Sequence, residues 1–129
     1  MNFSRFLLVL TLGLPFEAWG CRCVEPDIKN SYKRADAVAL IHITAIANGN
    51  DGSVRAQGEV LRNWKSALQT KLEVWTGDDC AYHLKIEHTY LLYLQRDKDG
   101  RLSTYICKGN RENAHAARYV EWLDKNRKK

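Results

Sequence analysis

Ala18-Trp19-Gly20-Cys21-Arg22-Cys23 is the stretch that governs how the rest of the chain is read. Ahead of it, residues 1–20 carry a lone positive charge at Arg5, an apolar run from Phe6 to Leu14, a breaker at Pro15 and small residues at Ala18 and Gly20. That is the layout of a secretory signal peptide, and its apolar run is too short for a bilayer, which takes about 20 apolar residues. Cleavage after Gly20 is expected, so that the mature chain opens on Cys21 and forms one domain over residues 21–129. Export to a secreted, extracellular or periplasmic location places the four cysteines in an oxidising compartment. There, an even set in a small domain forms disulfides.

Four cysteines allow three pairings. Joining Cys21 to Cys23 is disfavoured, because two residues one apart rarely meet disulfide geometry without strain. In both remaining solutions the N-terminal pair is tied to Cys80 and Cys107. A chain terminus, normally among the most mobile parts of a protein, would then be held with its free amine against the body.

The net charge of +5 survives removal of the leader, since Arg5 and Glu17 leave together. So mild a basic excess bears on solubility. The one basic run, Lys125-Asn126-Arg127-Lys128-Lys129, reads as a solvated end, and no nucleic-acid partner is expected. No repeat, linker or second domain interrupts the chain, and nothing after the leader is apolar enough to anchor it in a membrane.

Residues 35–47 are rich in aliphatic and β-branched side chains, with Val38, Leu40, Ile41 and Ile43 set so closely that both faces of a strand would be buried. Asn48-Gly49-Asn50-Asp51-Gly52 supplies a turn. Residues 53–64 alternate, Val54, Ala56, Gly58 and Val60 against Arg55, Gln57 and Glu59, as a half-buried strand does. Gly58 inside it suggests a bulge or bend that lets a small sheet close. Residues 70–75 alternate again. Residues 90–95 and 102–107 flank the charged loop Arg96-Asp97-Lys98-Asp99-Gly100 as a hairpin. Asn110 is placed to cap a closing helix, with Ala116, Val120 and Leu123 at i, i+4 and i+7 and Tyr119 beside them. The pattern predicts a mainly β fold: a five-stranded OB-like Greek-key barrel, a C-terminal α-helix and a short helix near the N-terminus.

A chain opening Cys21-x-Cys23-Val24-x-Pro26 resembles the tissue inhibitors of metalloproteinases and the wider netrin-like domains. The likeness continues through Ser31-Tyr32, Ala35-Asp36, Asn63-Trp64-Lys65, Cys80 followed by Tyr82, and a hairpin ending at Cys107. It covers most of the N-terminal inhibitory domain of that family and essentially all of the mature chain. The resemblance implies an OB-like barrel and selects the pairing Cys21 to Cys80 and Cys23 to Cys107. Lys33 stands where the animal inhibitors carry a further cysteine, and their second, cysteine-rich subdomain has no counterpart here.

The resemblance also implies a function. In the family, the amine and carbonyl of the first residue chelate the catalytic zinc of a protease, so Cys21 would be the chelator and Arg22 would enter the specificity pocket. Cys23, Val24, Glu25 and Pro26 would form the inhibitory edge. The implied partner is a zinc metalloprotease, and a monomer is expected. Neither an intrinsic metal nor a cofactor is expected. The family usually places a small residue where Arg22 stands. A buried unpaired guanidinium is penalised by several kcal/mol, so either the target pocket is acidic or solvent-open, or the protein is a non-inhibitory netrin-like binding module.

Other readings of single residues are weaker. Thiolate metal binding by Cys21 and Cys23 would need reduced sulfurs in an oxidising compartment. His42, His83, His88 and His115 lack the spacing of zinc motifs. Trp64, Trp75 and Trp122 could offer a stacking platform for oligonucleotide or sugar, but such aromatics more often fill a barrel wall. No nucleophile with a placed base, carboxylate pair or phosphate loop is apparent, so an enzyme is not expected. Lipidation of Cys21 would put the protein on a membrane and acylate the amine. Ala18, where lipoprotein signals usually carry Leu, and Trp19 argue against it.

Overall fold

The computed structural model describes residues 21–24 and 26–127; the expected leader, residues 1–20, and Glu25 lie outside the described residues. The element order is α1 (Ile28–Arg34), β1 (Ala37–Asn48), β2 (Ser53–Lys65), β3 (Lys71–Gly77), β4 (Thr89–Arg96), β5 (Leu102–Ser103), β6 (Arg111–Glu112) and α2 (Ala117–Asn126). β1 pairs antiparallel with both β2 and β4, β2 with β3, and β4 with β5, while β3 and β5 run parallel. Five strands thereby close in the order β1-β2-β3-β5-β4 into an OB-like barrel, and β6 adds to β4. Closure removes the exposed edges that an open sheet would present.

Two cores explain why β1 does not alternate. Ala37, Ala39, Ile41 and Ile43 fill the barrel with Ala56, Val74 and Leu92. Ala35 before β1 and Val38 on its outer face are covered in turn by a second cluster containing Trp64, Leu91, Tyr93, Ala116 and Leu123. β2 and β3 keep one wet face and therefore alternate as expected. Ala116, just ahead of α2, and Val120 and Leu123 on it seat the helix on the barrel, with Tyr119 beside them. Asp124 then accepts hydrogen bonds from Trp64 Nε1 at 2.7 Å and Arg62 Nη2 at 2.5 Å. The indole donor, with the guanidinium second, holds the Asp124 carboxyl below the usual carboxylate range.

The paired motifs along the sequence meet in space. Tyr32 Oη donates to the Trp64 carbonyl at 3.3 Å, and Lys65 Nζ donates to the Tyr32 carbonyl at 2.8 Å, joining α1 to the end of β2. Asp36 accepts from the Arg96 amide at 2.8 Å. Gly58 lies beside a slip in the β1–β2 register between Ile43 and Ala45, and a Cβ at this position would collide with Ile41 Cγ2 inside the barrel. Gly58→Ala is therefore expected to lower stability by about 1–3 kcal/mol through overpacking. Urea unfolding measures it, and an unchanged midpoint would show that Ile41 yields freely.

Two expectations need correction. The fifth strand does not run to Cys107: β5 ends at Ser103, Tyr105 makes an isolated bridge with Ala81, and residues Ile106–Lys108 form a 3-10 turn. Thr104 is fully buried; its amide still donates to the Trp75 carbonyl of β3, but its hydroxyl, in place of a backbone group, bonds the Tyr93 carbonyl of β4, and the chain then turns so that Cys107 meets Cys23. Nor does Asn110 cap the last helix, which begins at Ala117. Its amide instead accepts from Tyr93 N at 2.8 Å and donates to Thr104 Oγ1 at 2.6 Å and the Tyr105 carbonyl at 3.1 Å.

Candidate functional site

Because β3 and β5 are parallel neighbours, with Val74 opposite Leu102 and Trp75 opposite Ser103, the turns that follow them emerge at the same rim of the barrel. Cys80 closes the 3-10 turn Asp78–Cys80 after β3, and Cys107 lies in the turn after β5. A buried threonine braces each turn. Thr76 Oγ1 accepts from the Tyr82 amide at 2.9 Å, and Thr104 holds Asn110.

The N-terminal segment lies across this rim and is bonded to both turns. Cys21 joins Cys80 with Cα atoms 5.5 Å apart, and Cys23 joins Cys107 at 5.0 Å. This is the pairing implied by the family likeness. Cys21 is half-buried, whereas Arg22 and Cys23 are exposed, and Val24 is 91% exposed. Ile106, next to Cys107, is 37% exposed, so two aliphatic side chains face solvent on either side of one bridge. Pro26 is half-buried ahead of α1, while Glu25, expected on the same edge, lies outside the described residues. Behind the strip, a groove of about 500 Å³ is lined by Val24, Pro26, Ser31, Arg34, Tyr93 and Lys108, among others. Gly109, at φ 100°, lets the chain after Cys107 pass against α1; a Cβ there would sit 2.9 Å from Ser31 Oγ.

The strip's own side chains carry one charge among the described residues, the Arg22 guanidinium. Burial pushes the Tyr82 and Tyr93 phenols each up to about 12. Two of the four histidines sit in side-chain pairs, while His83 and His115 are exposed. His42 contacts Thr89 Oγ1 at 2.9 Å and Glu87 at 3.3 Å, and His88 contacts Glu112 at 2.6 Å. Among the described residues, no group of three or more His, Cys, Asp or Glu converges as a metal site.

The tryptophans separate by role. Trp64 is 4% exposed and packs beneath α2, and Trp122 meets Tyr32 edge-on at 5.8 Å. Trp75 stays half-exposed on the outer face of β3. Sequence reading missed Thr76 and Thr104 and gave Asn110 another role, though all three hold the disulfide-bearing turns. Their signal was faint, because a threonine in a strand and an asparagine before a helix have common local explanations.

Comparison with known families finds no matching family model, and comparison with curated proteins finds no match. The two disulfides point to an oxidising environment. Among the described residues, no helix is long and apolar enough to cross a membrane.

Proposed function

We propose that the mature protein is a secreted inhibitor of zinc metalloproteases, of the kind found in tissue inhibitors of metalloproteinases, acting through the amine and carbonyl of Cys21. The observation that carries this reading is the double clamp: Cys21 and Cys23 are each bonded to a rigid turn, with Arg22 exposed between them. Catalytic zinc keeps one coordination position open for water. A terminal residue offers an N,O pair that can displace that water. Its ordering has been completed during folding, so little conformational entropy is lost on binding. An α-amine, with a reference pKa of about 8, gives up its proton to the metal at modest cost near neutrality.

Arg22 sets the choice of target. Bound as the family binds, its guanidinium would enter the protease pocket beside the zinc, and an apolar pocket would leave the charge without a partner. The favoured target therefore carries an acidic side chain in that pocket, where a bidentate carboxylate pair offsets desolvation.

A panel of zinc endopeptidases with acidic and apolar pockets, assayed with native protein and Arg22→Thr, tests this. Native protein should prefer the acidic pockets. Arg22→Thr should reverse the order, gaining roughly tenfold to hundredfold against apolar pockets as the unpaired charge is removed. If neither form inhibits any member, a non-inhibitory netrin-like binding module is the better description.

A further inference from the structure

A second surface lies on the outer face of β2 and β3. Arg55 stands directly opposite Trp75 in the β2–β3 register, and both project outward because their neighbours Ala56 and Val74 are fully buried in the barrel. Arg101 reaches the same indole from the β4–β5 loop. The guanidinium carbons of Arg55 and Arg101 lie 5.3 Å and 4.5 Å from the Trp75 ring centroid. Arg101 is fixed from below: Asp97 Oδ1 accepts from the Asp99 and Arg101 amides, both at 2.9 Å, and the Asp97 amide donates to the Arg101 carbonyl.

Carboxylates are close by, but two of them already serve their own turns. Asp97 is engaged as above, and Asp51 accepts from Ser53 Oγ at 2.6 Å and Ser53 N at 3.1 Å. Among the described residues, neither Arg55 nor Arg101 enters an ion pair within 4 Å. Two guanidiniums are thus held over one aromatic ring with donors to spare. Grooves of about 440 Å³ and 230 Å³ both include Trp75 and Arg101 in their walls, so a ligand with repeating rings could cross the indole from one to the other. In OB-type barrels this strand face, with its β1–β2 and β4–β5 loops, is a general site for oligomeric ligands.

The geometry points to an oligosaccharide carrying carboxylates on some of its rings, seated across Trp75 with its acid groups on Arg55 and Arg101. The guanidiniums match an oxyanion bidentately. Asp51, Glu73, Asp97 and Asp99 line the same two grooves. They would oppose a phosphate at every step of a nucleic acid, yet they can accept hydrogen bonds from sugar hydroxyls. Among the described residues this face carries Trp75 and, in the wall of the smaller groove, Tyr105, fewer rings than the succession of base-stacking platforms single-strand binders use. This site does not depend on the chelating terminus.

The test follows the indole N–H signals of the disulfide-bonded mature chain by NMR during titration with three probes. These are a short oligomer alternating glucuronate and N-acetylglucosamine, a neutral N-acetylglucosamine oligomer of equal length, and oligothymidylate. The acidic sugar should shift the Trp75 signal saturably while Trp64 and Trp122 stay still, and Arg55→Gln or Arg101→Gln should each weaken binding by about tenfold. Unmoved Trp64 and Trp122 signals in the variants show that they are folded. Equal binding of the neutral oligomer would overturn the role of the arginines. Tighter binding of oligothymidylate would overturn the ligand class, and a Trp75 signal unmoved at millimolar concentrations of all three probes would overturn the site.

Discussion

Replacing Cys23 and Cys107 together by serine should lower the stability of the oxidised protein by about 4 kcal/mol, the chain-entropy estimate for a long-loop disulfide. The bridge spans 84 residues and overlaps the 59-residue span of Cys21–Cys80, so the two contributions do not add independently. What the variant loses is a restraint on the unfolded chain together with the anchor of the turn after β5. Thr104 and Asn110 would still hold that turn to β4, so the barrel should keep its fold while melting roughly 15–30 °C lower. Calorimetry at fixed pH gives the answer. A midpoint equal to that of the native protein would show that the barrel core alone sustains the fold.

The barrel was legible where burial imposes a period. β2 and β3 have one wet face, so their alternation marks them directly, and the closely set apolar residues of the first half of β1 announced burial on both sides there. The end of β5 was not legible, because no local pattern distinguishes a strand continuing to Cys107 from one whose backbone pairing with β4 stops at Ser103 and is replaced by the Thr104 hydroxyl. Asn110 was misread for the same reason. Its partners, Tyr93 and Thr104, are distant in sequence or meaningful only once β5 is known to stop early.

The candidate site was legible as a set of residues but not as a shape. Spacing alone left two disulfide pairings open: the parallel β3–β5 contact brings both turns to one rim, and which cysteine meets which turn is decided by the path of the N-terminal strip across that rim. Exposure of Arg22 and Val24 follows from that geometry and has no signature of its own in the sequence. The Arg55–Trp75–Arg101 cluster was half visible: the tryptophan stood out, but its flanking arginines depend on strand register and on the conformation of a loop.

Lengthening the mature chain by one alanine ahead of Cys21 should abolish inhibition. The amine that would enter the zinc sphere becomes an amide nitrogen, which does not donate a lone pair to metal at neutral pH, and the extra residue occupies the space of the displaced water. Both bridges lie behind the change, so the fold and its thermal midpoint should be unaffected. Inhibition by the native chain should also weaken as the pH falls below the amine's reference value of about 8, because metal must then compete with a proton.

The most direct measurement is the inhibition constant of the native and alanine-extended chains against one zinc endopeptidase with an acidic pocket, after intact mass has confirmed that the native form begins at Cys21 with two disulfides. Chelation by the terminus predicts tight inhibition by the native chain and none by the extended one at equal stability. Equal inhibition by both, or none by either, would contradict it.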